Sequence, residues 1–228
     1  MKTSPPRRWG LALALVICVG LAFVAGLWSS TAGVSARIGK LWDRRNTSPP
    51  PPTAAVALKK GLAGFDFTRV GHTGVALSRQ DATWKNVGNE AEGTKWDCLR
   101  DNVSGLWWEA KTHEDANGTK ELRHMDHTYG WTGAEVYVDA VNTAGLCGFK
   151  DWRLPSVAEL KPLTSINKGG ATIDLEQFPN TAPTGYWTAS AYPHRDNYVW
   201  YVYFAGAGNA FGDAPTANYA IRLVRNGQ

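Results

Sequence analysis

The hydrophobic and polar positions in the second half of the chain form short segments rich in aromatic and β-branched residues, bounded by Gly and Asn. The clearest segments are residues 185–190, 198–204 and 218–225. This composition, with turn-forming residues between the segments, is typical of β-strands joined by turns. The pattern therefore predicts a few antiparallel strands.

Two other segments have the pattern of helices, and each begins with the sequence of a capping box. Thr132 precedes Glu135 by three residues, and Ser156 precedes Glu159 in the same way. In such a box the hydroxyl accepts from an early backbone N–H, and the carboxylate accepts from the first residue's N–H. Apolar residues at helical spacing follow Thr132, and Gly145 is expected to end that helix. The predicted fold class is α+β, with short antiparallel strands, two helices and much loop.

An uncharged apolar run covers residues 9–28 and follows Lys2, Arg7 and Arg8. About 20 residues at ~1.5 Å each are long enough to cross a hydrocarbon core of about 30 Å. We therefore assign residues 1–36 to an N-terminal membrane anchor. Small residues between positions 30 and 36 leave a cleaved signal peptide as the alternative. Basic residues flank the run on both sides, so loop charge does not determine its orientation.

The composition changes after the apolar run. Residues 37–58 are first basic and then rich in proline, with four consecutive prolines at 49–52. Such a segment is an extended linker that could hold a domain away from a membrane, or a disordered spacer. Residues 59–228 remain, which is enough for one globular domain with its own core.

The basic character of the chain belongs to its N-terminal part. Residues 1–58 contain 7 Lys and Arg against 1 Asp, whereas residues 59–228 contain 17 basic and 19 acidic residues. The predicted domain is therefore mildly acidic, and it lacks the basic stripe that neutralises phosphates. This composition argues against nucleic acid as a partner.

Cys98 and Cys147 are the two cysteines of the predicted domain. A cysteine pair in a small domain behind an export-type segment is typical of a disulfide outside the cytoplasm, so we expect the domain to lie there. A reactive thiol is the alternative, but no neighbouring signature favours it. Cys18 lies inside the apolar run and is expected to be an ordinary buried thiol.

Several motifs occur in one order along the chain. They include Cys-Leu-Arg-Asp-Asn-Val-Ser-Gly-Leu-Trp-Trp-Glu at 98–109, Gly-Leu-Cys-Gly at 145–148, Asp-Trp-Arg-Leu-Pro at 151–155, Tyr-Trp-Thr-Ala-Ser at 186–190 and Tyr-Ala-Ile-Arg-Leu-Val-Arg at 219–225. With this set, residues 65–226 resemble the Lcl C-terminal domain family, named after the domain that ends a collagen-like adhesin of Legionella. The resemblance implies a fold similar to C-type lectins and formylglycine-generating enzymes on an extracellular bacterial protein. The best-understood relative binds sulfated polysaccharides in adhesion.

The motif residues are expected to be mainly structural. Trp152 should enter the core beside Asp151, and Arg153 should pair with a carboxylate such as Glu109, because a buried charge needs a partner. The alternative is that Arg153 faces an anionic ligand.

Asp101 and Asn102 are expected to form an Asx or type I turn. A calcium ion there is a second, weaker interpretation, because the sugar-binding sequence Glu-Pro-Asn of calcium lectins is absent. Residues 113–127 contain histidines and carboxylates, but their spacing matches no zinc signature, and we expect an exposed polar loop. The sequence therefore predicts no cofactor and no metal.

Aromatic residues are the best indication of a ligand. Most Trp residues should build the core, but an exposed ring could stack on a sugar. Trp84, Trp108 and Trp200 are the strongest candidates, together with Arg153, and Trp107 is expected on the opposite, inward face of its strand.

These observations favour a non-enzymatic module that binds a glycan or a cell-envelope partner. The alternative is an assembly subunit of a surface appendage or secretion complex that binds another protein. No Ser-His-Asp order, phosphate loop or paired carboxylates with a meaningful spacing indicate an enzyme. The mild acidity favours a neutral sugar or a protein surface over a sulfated polysaccharide. The sequence leaves the oligomeric state open.

Overall fold

Seven short strands and two α-helices are formed by the part of the chain that the computed structural model describes, residues 64–164 and 170–227. In chain order they are β1 (Phe67–Val70), β2 (Cys98–Asp101), β3 (Trp107–Glu109), α1 (Ala134–Ala144), α2 (Val157–Leu160), β4 (Gly185–Ala191), β5 (Val199–Tyr203), β6 (Ala210–Asp213) and β7 (Val224–Arg225). All of them belong to one compact unit, Ala54–Gln228. The predicted α+β class is confirmed.

Strands β1, β2, β3 and β7 form a four-stranded antiparallel sheet in the order β1-β2-β3-β7. Its register places Leu99 opposite Trp108, and Trp108 opposite Val224. The neighbouring row contains Arg100, Trp107 and Arg225. Because successive residues of a strand point to opposite faces, these two rows lie on opposite faces of the sheet.

The second sheet has the order β4-β5-β6 and contains two of the predicted strands. The third predicted strand, 218–225, is regular only at its end. Ala220 forms a single bridge with Tyr186 of the second sheet, whereas Val224 pairs with Trp108 of the first. The segment therefore passes from one sheet to the other and pairs only briefly with each.

Both predicted helices are present, but only one begins with the predicted box. In α2, the Glu159 backbone N–H donates to Ser156 Oγ at 3.2 Å, and the Ser156 N–H donates to the Glu159 carboxylate at 2.7 Å. The box proposed at Thr132 is wrong, because α1 has Gly133 as its N-cap and no side-chain cap. A 3₁₀ turn over Trp131–Gly133 precedes the helix and displaces its start. Gly145 ends α1 at φ 69°, as predicted.

The hydrophobic core consists of two clusters, one on each face of the four-stranded sheet. Leu99, Trp108 and Val224 belong to the first cluster, and Cys98 and Trp152 belong to the second. Trp152 is therefore a core residue, as predicted.

Cys98 and Cys147 form a disulfide with an S–S distance of 2.01 Å. The predicted pairing is confirmed. The bridge lies within the second core cluster, so it joins β2 to the segment that follows α1.

Arg153 pairs with a carboxylate, as predicted, but its partner is Glu159 and not the fully buried Glu109. The Glu109 carboxylate accepts from Lys111 Nζ at 3.0 Å, from the Tyr137 hydroxyl and from the Leu223 backbone N–H at 2.9 Å. Lys111 lies two residues after Glu109, so both side chains leave the backbone on the same side. Lys111 is therefore closer to Glu109 than the distant Arg153 is, and it is the cation that pairs with this carboxylate.

The proposed anchor at 9–28 and the linker at 37–58 lie outside the described residues. Among the residues that are described, no helix is long and apolar enough to cross a membrane.

Candidate functional site

An open cleft of about 790 Å³ lies beside the turn between β2 and β3. Its walls come from four parts of the chain: Asp66 before β1, the β2–β3 hairpin, the segment after the disulfide, and the C-terminal residues. Two aromatic rings, those of Trp107 and Phe149, line it together with charged side chains. Both rings are half-buried, so each presents part of its surface to the cleft.

The register of the four-stranded sheet places the charged residues of the cleft. Arg100 on β2 lies opposite Trp107 on β3, and Trp107 lies opposite Arg225 on β7. Cross-strand neighbours on one face have Cβ atoms about 5 Å apart, so the three side chains form a continuous row. Trp107 therefore lies between Arg100 and Arg225 in this row, and the Arg225 guanidinium carbon is 5.6 Å from the centre of the Trp107 ring.

Phe149 and Asp151 hold Arg225 in a defined position. The guanidinium carbon lies 3.7 Å from the centre of the Phe149 ring, and the Phe149 and Trp107 ring centres are 5.0 Å apart. Arg225 also donates to both carboxylate oxygens of Asp151, at 2.7 and 3.1 Å. These hydrogen bonds hold the pKa of Asp151 below its ordinary value. The arrangement is pre-organised, because stacking and the bidentate pair restrict the guanidinium group.

The polar groups at the other end of the cleft surround the hairpin turn. Arg100 Nε donates to Asn102 Oδ1 at 3.0 Å. Asp66 also lines the cleft, and its Oδ1 atom is buried with no hydrogen-bond partner among the described residues. A buried carboxylate oxygen without a partner is costly, so this atom suits a donor supplied by a ligand.

Asp101 and Asn102 form the predicted turn, but their oxygens already have partners. Asp101 accepts from the Val103 backbone N–H at 2.9 Å and from the Ser104 hydroxyl. Asn102 Oδ1 accepts from Thr68 Oγ1 at 3.2 Å as well as from Arg100. Calcium needs six to eight oxygen ligands, and these side chains provide few that are uncommitted.

Trp108 does not face solvent, contrary to the expectation from sequence. Its side chain is only 1% exposed and packs in the first core cluster. The reason is the register, because Trp108 lies between Leu99 and Val224, which are both fully buried. Trp107 is the partly exposed residue of the pair, so the two faces were assigned the wrong way round.

Trp84 and Trp200 are half-buried and lie outside the cleft. Trp84 packs edge-on against Trp96 with ring centres 4.8 Å apart, and it lines a separate cavity of about 350 Å³. Trp200 on β5 packs against Tyr192 at 4.6 Å. The structure therefore does not bring the three predicted Trp residues together.

Arg153 is half-buried and forms an ion pair with Glu159, at 2.7 Å. This contact raises the pKa of Arg153 and lowers the pKa of Glu159 to about 2. Arg153 also donates to Asn226 Oδ1 at 2.8 Å, and Asn226 lines the cleft. It therefore supports the margin of the cleft, with its charge already compensated by Glu159.

Sequence reasoning missed Trp107, Phe149, Arg225 and Asp66. A signal for Trp107 exists, because the strands 98–101 and 224–225 each place a charged residue beside an apolar one. If the apolar residues of neighbouring strands are placed opposite each other, Trp108 lies in the core and Trp107 lies beside the charged residues. Nothing local marks Asp66 or Phe149, whose position depends on contacts across the fold.

Residues 97–225 match the Lcl C-terminal domain. The chain belongs to this family. The matched region covers the strands β2 to β7 and most of the cleft, and the resemblance seen in the motifs is thus confirmed. Membership favours a module associated with the cell surface or envelope. No curated protein matches the chain.

Proposed function

We propose that this Lcl C-terminal domain is a non-enzymatic module that binds carbohydrate outside the cytoplasm. The segment 9–28 would attach it to the membrane, and the proline-rich linker would hold it away from the surface. The fold is proposed to be related to that of C-type lectins, with short strands, two helices and long loops around the binding face.

One observation carries this proposal: a single open cleft is lined by Trp107, Phe149, Arg225 and Asp66, and Asp66 Oδ1 has no hydrogen-bond partner among the described residues. Sugars present apolar C–H faces that stack on aromatic rings, and hydroxyl groups that need both donors and acceptors. The cleft offers both kinds of group side by side.

The charges of the cleft favour a neutral sugar. Arg225 is compensated by Asp151, and the remaining charged residues of the lining are Arg100, Asp66 and Asp101, so positive charge is not in excess. The region 59–228 has two more acidic than basic residues, which would repel a polysulfated chain. An Asp oxygen is a good acceptor for a sugar hydroxyl but a poor neighbour for a sulfate.

The test is a glycan array probed with the purified full chain in mild detergent, with calcium and with chelator. We expect binding to neutral oligosaccharides in both conditions. Trp107→Ala should weaken binding by at least about tenfold, as for a central aromatic contact. Asp66→Asn keeps the shape of the side chain and should also weaken binding.

Trp200→Ala is the matched control, because Trp200 is also a half-buried Trp but lies on the other sheet. It should bind like the wild type. Binding that is lost in Trp200→Ala and kept in Trp107→Ala would reject the cleft as the site. A blank array would reject the carbohydrate ligand and favour the alternative of a protein partner in an envelope assembly.

A further inference from the structure

Three of the five histidines of the chain lie within residues 113–127. This segment was expected to be an exposed loop, but His124 is 0% exposed. His113, Glu114 and His124 each place one ligand atom within 4.8 Å of the others. None of these residues lines the cleft, so this cluster is separate from the proposed carbohydrate site.

Backbone pairing brings the two ends of the segment together. The Thr112 N–H donates to the Arg123 carbonyl at 3.0 Å, and the Met125 N–H donates to the Thr112 carbonyl at 3.0 Å. Arg123 is in turn held by Asp97 Oδ1 at 2.5 Å and by the Ala110 carbonyl at 2.5 Å. The cluster therefore rests on an anchored part of the backbone, although residues 113–123 contain no helix or strand.

Glu114 lies between the two imidazole rings. Its Oε2 atom is 2.8 Å from His124 Nε2 and 3.0 Å from His113 Nδ1. The hydrogen bond with His124 lowers the pKa of Glu114. His113 Nδ1 is close to Glu114 but has no hydrogen bond of acceptable geometry among the described residues, although the atom itself is buried. One nitrogen donor of the cluster is thus uncommitted.

We propose that His113 Nδ1, Glu114 Oε2 and His124 Nε2 bind a divalent transition metal of the zinc class. Two imidazoles and one carboxylate are ligands that zinc prefers, whereas calcium and magnesium take oxygen. The side chains of His113 and Glu114 are 34% and 39% exposed, so water can reach the metal and complete the coordination.

The geometry requires a small expansion of the cluster. Bonds of about 2.0 Å to a tetrahedral zinc place neighbouring ligand atoms ~3.3 Å apart. The present separations of 2.8 and 3.0 Å must therefore widen slightly, and the separation between His113 Nδ1 and His124 Nε2, which is at most 4.8 Å, must reach the same value. The partly exposed side chains of His113 and Glu114 can make this adjustment while the buried His124 stays in place.

Asp126 provides the group that would orient His124. The Asp126 backbone N–H donates to His124 Nδ1 at 3.2 Å, which places the ring proton on Nε2. Metal binding at Nε2 requires the ring proton on Nδ1 instead, so the hydrogen bond from the Asp126 N–H would be given up, and Asp126 Oδ2, now 3.8 Å from Nδ1, would accept in its place. Ligating histidines commonly donate their other N–H to a carboxylate in this way.

The test is titration of the purified full chain with Zn²⁺ against a chromophoric zinc indicator. We expect one site per chain with a Kd of about 1 µM or tighter. His113→Gln and Glu114→Gln should each weaken binding by at least about tenfold. His194→Gln is the control, because it removes an exposed imidazole outside the cluster and should leave the affinity unchanged.

Hydrogen exchange provides a second measurement that adventitious surface binding would not affect. Zinc should slow amide exchange between Thr112 and Met125 in the wild type, because it links the two ends of the segment, but not in Glu114→Gln. Thermal melting without zinc verifies that each variant is folded. If His113→Gln does not fold, Glu114→Gln alone provides the test. Absence of saturable binding, or equal affinity in the wild type and in Glu114→Gln, would overturn the proposal.

Discussion

Trp107 and Trp108 are adjacent in sequence, yet they lie on faces of the four-stranded sheet with different roles. The Trp108 face is closed by apolar residues, among them Leu99 and Val224. The Trp107 face carries the disulfide, the buried Glu109 and, further along, the open cleft. Both faces therefore pack against a core cluster, but the Trp107 face also has a surface that a ligand can reach.

This difference shows how a small sheet can provide both a core and a binding surface. Alternation sends successive side chains to opposite faces, and the residues on the neighbouring strands decide which face is covered. In the Trp107 row Arg225 is buried, whereas Trp107 is half-buried and Arg100 is exposed, so that row is not completely covered. Substitutions on the two faces should accordingly have different effects on stability.

The largest effect is expected for Trp108→Ala, which should lower the free energy of unfolding by about 4 kcal/mol, because it leaves a large cavity in the core. Trp107→Ala should cost only about 1 to 2 kcal/mol, because that ring is half-buried. Urea unfolding of both variants measures the difference. Equal losses would mean that the two faces contribute equally to packing.

The next prediction concerns the disulfide on the Trp107 face of the sheet. Replacing both Cys98 and Cys147 by Ala should cost roughly 3 to 4 kcal/mol, as the chain-entropy account gives for a sequence separation of 49. Cys18→Ala is the matched control and should leave unfolding unchanged. A loss below about 1 kcal/mol in the double variant would show that core packing alone holds β2 to the segment after α1.

Lys111→Met tests the buried polar contacts on the same side of the sheet. It removes the cation that lies 3.0 Å from Glu109 and leaves a buried carboxylate without its ion pair. Such a loss should cost about 3 kcal/mol at neutral pH. The double variant Glu109→Gln with Lys111→Met should be more stable than Lys111→Met, and the reverse order would contradict the role given to this ion pair.

Lys111 should also make stability depend on pH. Burial lowers the pKa of Lys111 from 10.5 to about 8. Between pH 8 and 10.5 the unfolded chain keeps this proton while the folded chain releases it, so its contribution to stability rises with pH in that window. We expect the difference in unfolding free energy between wild type and Lys111→Met to increase from pH 8 to 9.5. A flat difference would contradict the lowered pKa.

The smallest effect is expected for the ion pair of Arg153 with Glu159, which lies in partly exposed surroundings. Glu159→Gln should cost about 1 kcal/mol or less after screening by solvent. The pKa of Glu159 falls to about 2, so its contribution is complete above pH 4.5 and is lost as the pH falls towards 2. Acid unfolding should therefore differ between wild type and Glu159→Gln mainly above pH 4, and a constant difference down to pH 2 would reject the assignment.

Local sequence patterns predicted several elements correctly. The box of Ser156 with Glu159, the glycine that ends α1 and the strands β4 and β5 depend on neighbours within a few residues, and all are present. The partner of Glu109 was missed because a local partner, Lys111, competes with the distant Arg153. The cleft was missed because it assembles residues separated by as many as 161 positions, from Asp66 to Gly227.

The sequence by itself determined the α+β class, the cysteine pair and the family, because these depend on composition, local spacing and an ordered set of motifs. Only the tertiary structure decided which Trp of the pair at 107 and 108 faces the cleft, and which residues surround His124. Both depend on strand register and on backbone pairing between distant segments. A shift of one residue in register would exchange the two faces, and the alternation within these short strands indicates that register only once it is known which distant strands pair.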